Sequence, residues 1–406
     1  MMSTTRPRAA AGISLLIATS LALTACGTGS AGSSGSSGSG NKAATEAGSS
    51  PAPAAKQVGN PLVATYDGGL YVLDGETLKV AGDLPLAGFN RVNPAGDDQH
   101  VIVSTGDGFR VLDAAGQRFT GVEFKGAKPG HVVRHADKTV LFADGTGEVT
   151  IFASKDLAKG TPATTTYTSA EPHHGVAIEL ADGQLVTTLG TEEKRTGILV
   201  LDKDHKKEIT RSEECPGVHG EATAQGETVV VGCENGVLIY QDGAITKVKS
   251  PTAYGRIGNQ AGSDASPIVL GDYKKDKDAE LERPQQVSLI DTETGKLRLV
   301  DLGTSYTFRS LARGPHGEAL VLGTDGKIHV IDPVAGKVTR TIPVTGSWQE
   351  PMEWQQPRPA LFVRDHTAYV TDPATKKIHA IDIETGKKTA SGTLPQTPNE
   401  ISGVKH

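Results

Sequence analysis

The stretch Ile328–Lys337 reads IHVIDPVAGK, and two other stretches, Val287–Lys296 (VSLIDTETGK) and Ile378–Lys387 (IHAIDIETGK), repeat its form. Each is a short alternating apolar strand that ends in Asp and is followed by the Gly and polar residues of a tight hairpin. Eight such hairpin signatures occur along the chain, with strands that end at Asp74, Asp113, Ala153, Asp202, Gln241, Asp291, Asp332 and Asp382. Their steps of 39 to 50 residues match the about 40 to 50 residues of one four-stranded propeller blade.

The fixed repeat predicts an all-β fold, an eight-bladed β-propeller, because a β-sandwich needs no constant period and no stretch shows sustained helical periodicity. Each signature is expected to be the third strand of its blade. The inner strands of the second to eighth blades are expected to begin near Asn90, Gly130, His173, Val218, Gly255, Phe308 and Pro351. The first signature has no such strand before it. The C-terminal segment Asn399–His406 is therefore predicted to close the ring as the inner strand of the first blade.

The N-terminus has the features of an export signal. Basic residues Arg6 and Arg8 precede an apolar run that is too short to span a bilayer stably, and LTACG (Leu23–Gly27) resembles a bacterial lipobox. We expect a signal peptide at residues 1–25, lipidation of Cys26, a flexible Gly/Ser/Ala tether at 26–57 and the propeller at 58–406. This predicts a lipid-anchored protein on the extracytoplasmic side of the cell membrane. The alternative is an ordinary secretory cleavage region with an incidental cysteine.

The charge pattern limits the partners. The net charge is −6 with mixed signs throughout and no basic stripe, which argues against nucleic-acid binding. Contact with the membrane is expected through the lipid anchor only, and the protein is expected to be a monomer.

Two cysteines remain after Cys26, namely Cys215 and Cys233. Export places them in an oxidising compartment, and adjacent antiparallel strands would bring them within reach of each other. We predict a disulfide. The alternative makes Cys215 a zinc ligand beside His219, since thiolate suits zinc well.

Three histidines share one phase of the repeat. His131, His174 and His219 lie in GHVVR, HHGVA and VHGEA, separated by 43 and 45 residues. Residues at the same phase of successive blades lie at the same height around one axis, so the three imidazoles should converge and bind Zn²⁺. A fourth position is left for water, for Glu400, for Glu221 or for His173.

The same layer holds positive charge. Arg91, Arg256 and Arg309 are expected there, with a blade-eight position near Glu350 or Met352. These arginines would repel a cation unless Glu350, Glu353 or Glu400 pairs with them, or they could bind an anion. Seven further histidines are expected to be solvated in turns, loops or outer strands: His100, His135, His205, His316, His329, His366 and His379.

Three segments resemble the AztD-type zinc metallochaperones: EPHHGVAIELADG (Glu171–Gly183), CPGVHGEA (Cys215–Ala222) and VVVGCENGVLIY (Val229–Tyr240). The resemblance implies a secreted eight-bladed propeller that holds zinc near its axis and hands it to the zinc-binding protein of an ABC importer. It places the family's zinc site on His174 and His219, and its paired cysteines on Cys215 and Cys233. Some relatives carry a His- and Asp-rich N-terminal segment, whereas the tether here contains no histidine.

The leading functional hypothesis is therefore an extracytoplasmic zinc metallochaperone rather than an enzyme. Neither HExxH nor GxSxG occurs in the chain. The alternatives are a metal-dependent propeller hydrolase or lactonase and a surface scaffold with no ligand.

Overall fold

The computed structural model describes residues 57–404, which form eight four-stranded antiparallel sheets. The expected signal peptide, Cys26 and most of the tether lie outside the described residues. Two short 3-10 helices, Ser154–Lys159 and Gln225–Glu227, accompany the strands. In the described part of the chain no helix has the length and apolarity that crossing a bilayer requires. The sheets are the blades of an eight-bladed β-propeller, as the hairpin signatures predict.

Strands are given from the axis outward. Blade 1 contains β32 (Ile401–Gly403), β1 (Leu62–Tyr66), β2 (Gly69–Leu73) and β3 (Val80–Pro85). Blade 2 contains β4 (Arg91–Pro94), β5 (His100–Ser104), β6 (Gly108–Asp113) and β7 (Arg118–Lys125). Blade 3 contains β8 (Pro129–His135), β9 (Lys138–Ala143), β10 (Glu148–Ala153) and β11 (Thr165–Thr168). Blade 4 contains β12 (Ala177–Glu179), β13 (Leu185–Gly190), β14 (Arg195–Leu201) and β15 (Glu208–Ser212).

The second half of the ring follows the same order. Blade 5 contains β16 (His219–Ala224), β17 (Thr228–Cys233), β18 (Gly236–Gln241) and β19 (Ala244–Lys249). Blade 6 contains β20 (Gln260–Ala261), β21 (Ile268–Gly271), β22 (Gln286–Asp291) and β23 (Lys296–Asp301). Blade 7 contains β24 (Leu311–Arg313), β25 (Ala319–Leu322), β26 (Lys327–Asp332) and β27 (Lys337–Pro343). Blade 8 contains β28 (Leu361–Arg364), β29 (Thr367–Asp372), β30 (Lys377–Asp382) and β31 (Lys388–Thr393). Every signature is thus a third strand, as expected.

Inner strands of successive blades contact one another around the axis. Contacts join β16 to β20, β20 to β24, β24 to β28, β28 to β32, and β32 to β4. The core lies between neighbouring blades and consists mainly of Val, Leu, Ile and Ala. Because each blade is covered on both sides, its middle strands are buried on both faces, whereas outer strands such as β3 alternate between exposed and half-buried residues.

The C-terminal strand closes the ring. In β32, Ile401, Ser402 and Gly403 pair with Ala64, Val63 and Leu62 of β1. Just before the strand, the amide of Asn399 donates to the carbonyl of Thr65 at 2.8 Å, and the amide of Thr65 donates to the carbonyl of Glu400 at 2.9 Å. The predicted closure is confirmed.

Burial on both faces corrects one expectation. His100, His329 and His379 were expected to be solvated, yet they are only 2 to 5% exposed. His205 was expected to be solvated too, yet its side chain is only 5% exposed. His329 and His379 belong to third strands, where a neighbouring blade covers the face that a free sheet would leave to water. His100 Nδ1 lies 2.7 Å from an oxygen of Asp97, His329 Nε2 lies 3.2 Å from a carboxylate oxygen of Asp325, and His379 Nδ1 lies 2.9 Å from the Ser391 hydroxyl.

The inner strand of blade 8 is a second correction, because it begins at Leu361 and not near Pro351. The intervening segment contains Pro351, Pro357 and Pro359, which lack the amide hydrogen that a strand ladder needs. Glu350 is buried there and accepts a hydrogen bond from Arg358 at 2.8 Å, while Met352 is exposed.

Candidate metal centre

Three successive blades bring the same-phase histidines together. His131 lies in β8, His219 is the first residue of β16, and His174 lies in the loop just before β12. Their ring centroids are 5.2 Å apart for His131 and His174, 5.4 Å for His131 and His219, and 5.0 Å for His174 and His219. One candidate ligand nitrogen from each ring lies within 4.8 Å of the other two. We call these three residues the histidine triad.

Local irregularities in the inner strands aim two of these rings. The ladder between β8 and β9 shifts register between Pro129 and Val132, and the ladder between β16 and β17 shifts between His219 and Glu221. Such bulges redirect a side chain at the end of a strand. Gly220 has a φ of 70°, a backbone conformation that glycine adopts without strain.

Two oxygen atoms orient the triad. The Nδ1 atom of His174 lies 2.6 Å from a carboxylate oxygen of Asp144, and Nδ1 of His219 lies 2.5 Å from the carbonyl oxygen of Gly258. Each of these oxygens accepts a hydrogen bond, so Nδ1 carries the hydrogen and donates it, and Nε2 keeps its lone pair for a metal. Partners of this kind fix the ring and raise its basicity as a ligand. Gly130 makes room for Asp144, because a Cβ there would stand 2.1 Å from its carboxylate.

Burial keeps two of the rings neutral. The pKa of His131 is held well below its usual value, first by burial and then by the positive charge that His219 and His174 would carry. Burial, and then the positive charge that His174 would carry, lower the pKa of His219 to about 3. A neutral imidazole binds a metal and an imidazolium does not, so these two residues are prepared as ligands at neutral pH.

The three candidates for a fourth ligand differ in position. A carboxylate oxygen of Glu221 lies 3.9 Å from Nδ1 of His131, and burial raises the pKa of this carboxyl to about 8. Glu400 instead pairs with Arg91 and Arg309, each at 3.1 Å. His173 faces away: its Nε2 lies 3.0 Å from the Thr188 hydroxyl and its ring packs against Phe142. The structure brings only Glu221 of the three toward the triad.

The arginines of the predicted ring are partly neutralised. Glu400 is the partner of Arg91 and Arg309, as the sequence suggested it could be. Glu350 pairs with Arg358, a residue that sequence reasoning missed. Arg195 was also missed, although its charge helps to lower the pKa of both His131 and His219.

A cavity of about 640 Å³ reaches Glu221 but is not lined by the triad histidines. Glu221 lines it together with Arg134, His135, Glu227 and Asp264. His135 is bound there to Glu227, with 2.5 Å between Nε2 and the carboxylate. Water and ions can therefore approach Glu221 from inside the ring.

The two remaining cysteines form a disulfide. Cys215 and Cys233 are joined, with their Cα atoms 4.9 Å apart, and both are fully buried. The predicted disulfide is confirmed, and a sulfur in this bond is no thiolate, so the alternative of Cys215 as a zinc ligand is wrong. The bond holds the segment that leads into His219.

Comparison with known proteins finds a similar zinc chaperone. Zinc chaperone AztD from Citrobacter koseri is 28% identical to the chain over 303 residues, which cover 72% of this chain and 69% of AztD. The solved structure of apo AztD from the same organism is similar with a TM-score of 0.73 and 25% identity, over 85% of this chain and 96% of that one. The resemblance to AztD is confirmed.

Other comparisons add less than AztD does. No family model matches the chain. The dihydro-heme d1 dehydrogenase NirN, solved in complex with DHE, has a TM-score of 0.57 and 12% identity over 84% of this chain and 75% of its own. That likeness shows a shared fold alone.

Asp144 and Gly258, which bind the outer nitrogens of the triad, were the main residues that neither the repeat nor the resemblance to AztD predicted. Asp144 belongs to an Asp-Gly pair of the kind that marks a turn. Asp144 follows directly after β9, the second strand of the blade before His174. That position was the signal that could have identified Asp144. Gly258 acts through its backbone oxygen, so its residue type carries no signal.

Proposed function

We propose that this protein is an extracytoplasmic zinc carrier that binds one Zn²⁺ at His131, His174 and His219 and passes it to another protein. The convergence of three imidazoles, each from a different blade, carries the proposal. Three nitrogen ligands with an open fourth position suit zinc. The likeness to zinc chaperone AztD supports the same reading.

The surroundings of the triad favour binding without chemistry on a substrate. Asp144 and Gly258 orient two rings, and burial keeps His131 and His219 unprotonated. Glu221, 3.9 Å from His131, would join the coordination sphere through a bridging water once zinc lowers its pKa. A bound ion would thus satisfy a buried carboxyl and three imidazoles at once.

Unequal exposure suggests how the ion leaves. The side chain of His174 is 43% exposed, whereas that of His131 is 23% exposed. An acceptor protein that approaches from this face would replace His174 first, while His131 and His219 still hold the ion. We propose that the acceptor is the zinc-binding protein of an ABC importer. A lipid anchor at Cys26, the second part of this proposal, would hold the carrier at the membrane where such an importer works.

Transfer kinetics test the proposal. The protein is loaded with one equivalent of Zn²⁺ and mixed with increasing concentrations of the apo zinc-binding protein of an ABC importer. Direct exchange predicts a loss rate that rises with acceptor concentration and exceeds the rate seen with a small chelator of matched affinity. The variant in which all three triad histidines are alanine serves as the control, and its zinc loss should not rise with acceptor concentration.

Two results would contradict the proposal. A loss rate that equals spontaneous dissociation at every acceptor concentration would leave passive storage. Zinc-dependent turnover of esters or lactones would favour the hydrolase alternative, in which Glu221 beside the open position acts as a base.

A further inference from the structure

A second group of metal-binding side chains lies in blades 7 and 8. His316 and His366 have ring centroids 5.5 Å apart, and both face Glu384. One carboxylate oxygen of Glu384 lies 2.8 Å from Nδ1 of His366 and 3.4 Å from Nε2 of His316. One ligand atom from each residue lies within 4.8 Å of the other two. We call these three residues the turn cluster.

The turn cluster lies on the face of the propeller opposite the histidine triad. His316 and His366 are in the turns between the inner and second strands of their blades, and Glu384 is in the turn between β30 and β31. Antiparallel strands place these turns at the far end of the strands from the inner-strand starts. The turn cluster is therefore independent of the triad.

Hydrogen bonds fix all three turns. The amide of Ile383 donates to the carbonyl of His366 at 2.9 Å, which ties two ligand-bearing turns of blade 8 together. Arg340 of blade 7 donates to the carbonyls of Ile383 and Glu384. The amide of His316 donates to the carboxylate of Glu318 at 3.0 Å. The three side chains are thus presented by ordered backbone.

We propose that His316, His366 and Glu384 form a second site for a divalent transition metal such as Zn²⁺. Two imidazoles and one carboxylate are a ligand set that zinc uses with water in the fourth position. The three side chains are 52 to 65% exposed, so the ion would enter and leave readily. Its affinity would be lower than at the triad, where His131 and His219 are only partly exposed. This inference does not depend on the proposed carrier function.

Metal titration of a protein that lacks the triad tests the second site. In the His131→Ala/His174→Ala/His219→Ala background, Co²⁺ alone is titrated while the visible absorption of tetrahedral cobalt is recorded, and Zn²⁺ is then added in competition. We expect one bound ion, which Zn²⁺ displaces. Adding Glu384→Gln or His366→Ala to this background should abolish that binding.

Glu293→Gln is the matched control. Glu293 is exposed and occupies the same position of the equivalent turn in blade 6, TETGK beside IETGK. That variant should keep the ion, and thermal melting should show that every variant folds. A triad-free protein that binds no ion, or one that loses it equally with Glu293→Gln, would overturn the second site. Neither result would affect the carrier proposal, because the triad is absent from the test.

Discussion

The histidine triad and the turn cluster contain the same kind of ligand in opposite surroundings. In the triad, each ring comes from a different blade, two rings are oriented by Asp144 and Gly258, and burial keeps His131 and His219 neutral. In the turn cluster, all three side chains are exposed, and the ligands bond to one another.

The difference shows what the fold adds to a set of residues. Inner-strand starts meet around one axis, so a propeller can bring distant parts of the chain together at one point near that axis. The turns on the opposite face lie at the protein surface. They bring together only side chains from neighbouring blades. We therefore expect tight binding at the triad and weaker, faster exchange at the turn cluster.

The largest expected effect comes from a single ligand of the triad. His219→Ala should weaken tight zinc binding by more than the about 10- to 100-fold that an outer-sphere partner contributes, because the ring supplies a bond to the ion itself. Competition with a chromogenic chelator measures the affinity. His366→Ala is the control and should leave the zinc affinity of the triad unchanged. An equal loss of affinity in both variants would contradict the distinction between the triad and the turn cluster.

Removal of the disulfide should come next. The bond joins residues 18 apart, and closing a loop of about this size stabilises a protein by about 3 kcal/mol. The free energy of unfolding of the Cys215→Ser/Cys233→Ser variant, measured by urea titration, should be lower by about that amount. Reductant should lower the free energy of unfolding of the unchanged protein by a similar amount. An unchanged urea midpoint would show that the segment before His219 is held without the bond.

The outer partner of His174 offers a smaller effect. Asp144→Asn keeps the size of the side chain but removes the negative charge beside Nδ1, so zinc affinity at the triad should fall about 10- to 100-fold. Metal binding at the turn cluster should stay the same, since Asp144 lies on the other face. If zinc affinity at the triad does not change, the Asp144 carboxylate only positions the loop that contains His174.

The smallest expected effect concerns a histidine whose pKa is lowered by burial and not by neighbouring histidines. His379 is buried outside both histidine clusters, and burial lowers its pKa from 6.5 to about 4. Above pH 6.5 the folded and unfolded states both hold it neutral; as the pH falls toward 4 only the unfolded state takes up a proton, and stability is lost, by about 2 kcal/mol near pH 5. Urea unfolding of His379→Gln at pH 7 and pH 5 should lack that part of the loss. A pH dependence equal to that of the unchanged protein would contradict the assignment.

The sequence was sufficient for the fold because the third strands repeat locally. Their pattern predicts eight blades, and the missing inner strand of the first blade predicts closure by the C-terminal segment. Phase alone also brought His131, His174 and His219 together, although two of them sit at bulges that no pattern revealed.

What the sequence could not predict depends on contacts between blades. Loop lengths before the inner strands vary, so the start of β28 was misplaced by ten residues. The burial of His329 and His379 follows from a neighbouring blade that covers the second face of each sheet. The turn cluster was missed for the same reason, because His316 and Glu384 become neighbours only after two blades pack together.

Ring closure by β32 has a consequence for the timing of folding. The amide of Glu400 bonds to the hydroxyl of Thr65, 335 positions away in the chain. A contact of such long range forms slowly and late, because the entropy of closing the loop must be lost before the contact stabilises anything. Blade 1 is therefore incomplete, with β1 as an unpaired edge strand, until the C-terminal segment folds against it. A molecule caught at that stage would be an arc whose free edge invites pairing with another chain.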